Sequence, residues 1–211
     1  MKQQNGFDNG ARFRLGPCRT AAMLFACLLV SSMITAEDAP KKPAKTKKVQ
    51  ANTLALEIPK TWTQEPASNR FRAAQFKIPS AEGDSEQPEL VIYYFGKQSG
   101  GGVQANINRW VGQFVPTGRN VKVFEGKSSS GKYSLVDVSG TYNKPIGPPV
   151  LGKTKRMAGA RMLAAIVETK EGNYFLKFTG LAKSVTASAA PFRAAFGADA
   201  KDEKEIKPEK K

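Results

Sequence analysis

The sequence predicts an α+β protein, a single domain in which an antiparallel β-sheet is sandwiched by helices. Three observations lead there. Short runs of alternating or continuous β-forming residues recur between 52 and 197. Short polar segments rich in Gly, Ser and Pro separate most of them, which suits hairpins better than helical crossovers. Two stretches, over 103–114 and 185–196, place apolar residues at helical spacing with no competing strand reading.

Taken in order, "TLALEIPKTW" alternates and stops at Pro59, giving a first strand followed by Trp62. "FRAAQFKIP" puts Ala74, Phe76 and Ile78 on one face of a second strand. After the polar turn "SAEGDSEQP", "ELVIYYFG" is a near-continuous apolar run suited to a central strand. "GKQSGGG" breaks the chain, and Val103, Ile107, Trp110, Val111 and Phe114 then fall on one side of an amphipathic helix over 103–114.

"NVKVFEG" and "KYSLVDVSGTY" read as a hairpin turning at "KSSSGK". Around "ARMLAAIVE", the preceding Met157 and Ala160, Leu163, Ala164 and Val167 also share a helical face, so periodicity alone leaves helix and strand open. A partner strand, "NYFLKFTG", lies just across "TKEGN", and 158–168 is therefore expected to be a strand. Val185, Ala189, Phe192 and Phe196 predict a closing helix over 185–196, with Pro191 kinking or shortening it.

Composition divides the chain into four parts. Arg12, Arg14 and Arg19 precede an apolar run from Ala21 to about Val30 and a small-residue end at Ala36, the layout of a secretory signal peptide over 1–36. That run is short for a membrane span. Cys27 in "LFAC" offers a lipoprotein alternative, weakened by the bulk of Phe25. Residues 37–51, Lys- and Pro-rich, read as a disordered linker, and 198–211 as a solvated charged tail. Export to a periplasmic or secreted location is the expectation.

Both cysteines, Cys18 and Cys27, fall in the segment to be removed, and the chain has no histidine. That excludes thiolate chemistry in the mature chain and every His-based triad. No catalytic residue, metal site or cofactor is expected. With 33 Lys plus Arg against 18 Asp plus Glu, a polyanion is a natural partner: an anionic polymer or an anionic lipid surface. Another exported protein is a further possibility; no specific nucleic-acid partner is expected.

"GPPVLGKT", Gly147 to Thr154, satisfies the nucleotide-binding pattern G-x-x-x-x-G-K-[ST]. Against a nucleotide site stand the export signal, the polar break "NKPI" before Gly147, the lack of a later strand ending in a magnesium-binding aspartate, and the hairpin alternative for the following residues. The segment is read instead as a long mobile loop between antiparallel strands. Lys144, Lys153, Lys155 and Arg156 then form a basic patch with no nearby acid, the candidate anion-binding residues.

Glu82, Asp84 and Glu86 are the one cluster that could hold a hard cation, and they lack EF-hand spacing. A solvated hairpin tip is the preferred reading. Asp137, in mid-strand, calls for a cationic partner, with Arg161 and Arg109 available, in a salt bridge tying sheet to helix.

"LEIPKTW", "NYFLKFTGLAKSV" and the closing "FRAAF", with the long central hairpin region, resemble the PsbP-like α/β/α sandwich. The likeness covers most of 54–196, and Pro191 departs from it. "ELVIYYFG", "NINRWVGQF" and "YFLKFTG" also resemble an uncharacterised family of exported bacterial proteins of this shape. The resemblance implies a non-enzymatic binding or assembly domain; a carboxylate- and lysine-based enzyme is the competing class.

Overall fold

The computed structural model describes residues 45–147 and 151–207. The expected signal segment lies outside the described residues. The chain forms a hairpin of β1 (Thr46–Ala51) and β2 (Leu54–Pro59), and a larger sheet of β3 (Thr63–Glu65), β4 (Arg72–Lys77), β5 (Glu89–Tyr94), β6 (Asn120–Ser128), β7 (Gly131–Pro145), β8 (Thr154–Thr169), β9 (Gly172–Leu181) and β10 (Lys204–Ile206). The eight strands lie in the order β10-β6-β7-β8-β9-β5-β4-β3, and every pairing is antiparallel. Residues 158–168, ambiguous by periodicity, lie within β8.

The alternation of each strand divides its apolar residues between two cores. On one face Leu135 of β7, Leu163 and Val167 of β8, Leu176 and Phe178 of β9 and Phe76 of β4 pack together. Leu54, Leu56 and Ile58 of β2 close that core together with α2 (Ala182–Ala187) and α3 (Ala189–Ala195), which bring Val185, Phe192 and Ala195. Tyr174 ties the hairpin down, its hydroxyl accepting from the Thr53 backbone N–H at 3.1 Å. On the opposite face Val136, Val138, Met162, Ala164 and Ile166 meet α1 (Val103–Val111) through Ile107 and Trp110. Among the described residues, both cores consist of residues between 49 and 206.

Cover by helices is only partial. One face carries a single nine-residue helix, and the other is shared between two short helices and the β1–β2 hairpin. The helix expected over 103–114 stops at Val111, where Gly112 caps it and the chain turns so that Phe114 bridges to Tyr142. The helix expected over 185–196 is two helices broken at Ser188. A continuous helix would drive the Pro191 ring into the Ala187 carbonyl; in the first turn of α3 its missing N–H costs nothing.

Two expectations of disorder are corrected. Residues 46–51, assigned to the linker, form β1, because alternation continues through Val49 and Ala51 into a turn whose Asn52 takes a left-handed φ of 52°. Residues 199–206, assigned to the tail, form a short 3-10 turn at Ala200–Asp202 and then β10 on the free edge of β6. Glu203 holds them there. Its carboxylate accepts from Arg193 Nε at 2.7 Å, from Arg193 Nη2 at 2.9 Å and from the Tyr133 hydroxyl at 3.1 Å. The Glu203 side chain is 3% exposed and that of Arg193 is 9% exposed.

Asp137 finds the first of its two candidate partners. Arg161 Nε and Nη2 donate to its two oxygens at 2.9 and 2.6 Å, and Arg161 Nη1 donates to Thr186 Oγ1 of α2 at 2.7 Å. The pair thus fastens β7 and β8 to α2, while Arg109 bonds Asn106 on its own helix.

Two stability predictions follow from these pairs. Glu203→Gln leaves Arg193 as a buried charge without its counter-ion, and is expected to lower the unfolding free energy by about 3–5 kcal/mol in chemical denaturation. Asp137→Asn, at a more accessible pair, is expected to cost about 1–3 kcal/mol by the same measurement.

Candidate functional site

Three of the four candidate anion-binding residues, Lys144, Lys155 and Arg156, lie in paired strands rather than in a long loop, and Lys153 lies in the connection between them. Strand β7 continues to Pro145 and β8 begins at Thr154, with Lys144 directly opposite Lys155 and Asn143 opposite Arg156. Beyond Ser139 the strand β7 has no further β6 partner, and before Ala160 the strand β8 has no β9 partner. The pair therefore leaves the sheet as a two-stranded arm. The tip is closed by the Ile146 N–H donating to the Lys153 carbonyl at 3.0 Å.

A β-bulge sets the direction of the arm. Tyr142 faces Met157 while Gly140 faces Ala160, so β8 carries one extra residue here. Gly159, with a φ of +66°, supplies the left-handed turn this needs. The bulge keeps Met157 and Ala160 on the same face, inside the core beneath α1.

Three contacts brace the base of the arm. The outer edge of β7 is paired by the chain after α1: the Val115 N–H donates to the Thr141 carbonyl, and the Asn143 N–H to the Gln113 carbonyl, both at 2.8 Å. Phe114 packs against Tyr142 with ring centroids 5.1 Å apart. Below them, Lys177 Nζ on β9 donates to Gln113 Oε1 at 2.7 Å and to the Tyr142 hydroxyl at 2.9 Å. Burial pulls the Lys177 ammonium down from its ordinary 10.5 to about 8, partly offset by the field of Glu89. Burial likewise pushes the Tyr142 phenol up.

The expectation that the basic patch has no nearby acid is overturned. Glu86, from the turn between β4 and β5, reaches Lys144 at 2.8 Å and Lys155 at 3.2 Å. Hydrogen bonds from Lys144 and Lys155 hold its carboxyl below the usual range. A carboxylate between the opposed lysines relieves the repulsion that like charges directly across a ladder otherwise impose. Four cations against one carboxylate still leave the arm with a positive excess.

The acidic cluster does not converge on a cation. Asp84 accepts from the Ser184 N–H at 3.0 Å and makes a short contact with the Ser184 hydroxyl, so it serves the start of α2. The Glu82 carbonyl takes Lys183 Nζ at 2.6 Å. Among the described residues, no three His, Cys, Asp or Glu side chains gather in a way that could hold a metal ion. No helix among them is long and apolar enough to cross a membrane.

The nucleotide pattern also fails on geometry. Thr154 opens a strand, whereas phosphate cradling needs the loop to enter a helix N-terminus. Lys177 was missed by sequence reasoning. Its signal was a lone lysine at an inward position of "NYFLKFTG", between Phe175 and Thr179.

No protein-family model matches the chain, and no curated protein is similar to it by sequence. Among solved structures it is similar to cyanobacterial PsbP (CyanoP) from Synechocystis sp. PCC 6803, with a TM-score of 0.43 and 10% identity over 82% of this chain and 99% of that one. It is also similar to PA94, a protein of unknown function from Pseudomonas aeruginosa, with a TM-score of 0.40 and 14% identity over 71% of this chain and 92% of that one. These likenesses are distant and carry nothing about activity or partner.

The lysine brace has a pH signature. With a folded pKa near 8 and an ordinary value of 10.5, the unfolded chain binds the extra proton between the two. Stability contributed by this group therefore rises as pH increases from about 8 to about 10.5. Thermal melts of the wild type and of Lys177→Met across that range are expected to show the wild type gaining on the variant. A difference independent of pH would refute the lowered pKa.

Proposed function

We propose that this chain is an exported, non-enzymatic binding or assembly module that works against a polyanionic surface, with the β7–β8 arm as its contact element. The observation that carries the reading is the arm itself. It projects past its neighbouring strands and presents Lys144, Lys153, Lys155 and Arg156, with Glu86 the carboxylate that reaches them among the described residues. The bracing by Gln113, Tyr142 and Lys177 supports a contact role, since a preorganised element loses less entropy on binding. The export signal read in the sequence puts anionic headgroups and acidic polymers within reach.

Glu86 assigns unequal parts to the four cations. Lys144 and Lys155 already share a carboxylate, so an incoming anion competes with Glu86 for them. Lys153 and Arg156 lie outside that triad and are the residues on which binding should depend most.

Heparin is the test ligand. Binding is expected at low salt and should fall steeply between 0.05 and 0.5 M NaCl, as the screening length shortens to about 4–5 Å. Lys153→Ala and Arg156→Ala should each weaken it by roughly threefold to tenfold, consistent with exposed charge contacts, and Lys144→Ala should weaken it less. ATP affinity should not rise with magnesium. Micromolar ATP binding that requires magnesium and vanishes in Lys153→Ala would refute the reading.

A further inference from the structure

We infer that Lys177, beneath the base of the arm, is the nucleophile of a covalent site for small aldehydes, its amine condensing with the carbonyl while Gln113 and Tyr142 hold it in place. This goes beyond the polyanion reading and does not depend on it. Other lysines of the chain meet carboxylates: Lys144 and Lys155 share Glu86, Lys77 pairs with Glu65 and Lys122 with Glu205. Lys177 instead spends its hydrogen bonds on neutral partners, Gln113 Oε1 at 2.7 Å and the Tyr142 hydroxyl at 2.9 Å. Glu89, whose field reaches it, is itself bound by Arg72 at 2.9 Å.

The surroundings suit a nucleophile. On the sheet Lys177 stands between Ala164 of β8 and Val91 of β5, both buried, so its stem crosses an apolar floor. Its Nζ lies 5.2 Å from the centroid of the Tyr142 ring on the side of the arm. Toward β5 the surface is partly open: Glu89 and Tyr93, which flank Val91 on the same face, are half-buried, as is Lys177 itself. A buried ammonium without a counter-ion at hand favours the uncharged amine. That amine has two N–H groups and one lone pair. With both N–H groups committed to Gln113 and Tyr142, the lone pair is the direction left for an incoming carbon.

The condensation balances with the groups in place. The Nζ lone pair bonds to the carbonyl carbon, the C=O π pair moves to oxygen, and one proton passes from nitrogen to that oxygen, giving a carbinolamine. The second proton on nitrogen then leaves with the hydroxyl as water while the C=N bond forms, and nothing is oxidised or reduced. Tyr142 is the proton relay. Burial pushes its phenol up, so it keeps its proton at neutral pH and passes it to the oxygen as the amine replaces it. The other titratable groups on this side close among themselves, with the Arg72 guanidinium bound to Glu89 and 5.7 Å from the centroid of the Tyr93 ring. Aldehydes suit a half-buried amine better than ketones, which carry a second substituent on the carbonyl carbon.

The test is reductive trapping in the full chain with glyoxylate, a small aldehyde, and cyanoborohydride, which reduces the imine to a stable carboxymethyl adduct located by peptide mass spectrometry. At pH 7.5 about a quarter of an amine with a pKa of about 8 is uncharged, against about 0.1% of an ordinary lysine. The adduct is expected to build at Lys177 at least about fivefold faster than at the exposed Lys97 and Lys170. Because Lys177 is already largely neutral above pH 8, that ratio should shrink as the pH is raised from 7 to 10. Tyr142→Phe, which removes the relay, should slow trapping at Lys177 by about threefold or more and leave Lys97 and Lys170 unchanged. Trapping at Lys177 no faster than at the exposed lysines, or a ratio that does not fall with pH, would each overturn the inference. Unaltered trapping in Tyr142→Phe would overturn the part given to Tyr142. Each of these outcomes leaves the heparin test of the polyanion reading untouched.

Discussion

Strands β7, β8 and β9 bury side chains on both faces, and the rest of the structure depends on that constraint. Leu135 and Val136, Leu163 and Ala164, and Phe175 and Leu176 are neighbours in sequence that point into opposite cores. A sheet of this kind cannot leave either face to water. The α1 face is closed by one short helix and the chain running on from it, the other by a hairpin and two helices that Pro191 keeps apart. The arm is what remains of β7 and β8 once those covers end.

The turn between β4 and β5 links these covers to the arm. Its acidic residues alternate in sequence and divide between two partners: the Asp84 carboxylate meets the start of α2, the Glu86 carboxylate the paired lysines of the arm, and Glu82 engages α2 through its backbone carbonyl. The Asp137–Arg161–Thr186 chain runs in parallel, from the middle of the sheet to the same helix. The electrostatics of the chain are thus organised around holding α2 and the arm against the sheet end. The net positive charge is what this arrangement leaves outward.

Much of the sheet was legible in the sequence because alternation is a local property. "LALEIP" and "SLVDVS" state their inward residues directly, and Asp137 announced its need for a cation. The arm was not legible, since Pro145 and Gly147 carry turn chemistry and nothing local says that pairing continues through Lys144 and Lys155. Glu86 lies 58 residues from Lys144 in the chain, and only the assembled sheet brings them together. The same holds for Glu203 and Tyr133, 70 residues apart, whose contact turned an expected tail into an edge strand. Charged segments read as solvated whenever their partners are distant.

The strand order has a kinetic consequence. From β6 to β9 the sheet is a simple meander, each strand pairing with the next in sequence, so these pairings close smaller loops than the edge pairings do. Strand β5 instead pairs with β9, and β10 with β6, each across a long stretch of chain. Closing a large loop costs entropy that is recovered only when a partner surface already exists. The meander is that surface, so the order of assembly runs outward from β7 and β8, with both sheet edges added last. A growing chain can therefore form the backbone of its arm before either edge of the sheet is sealed.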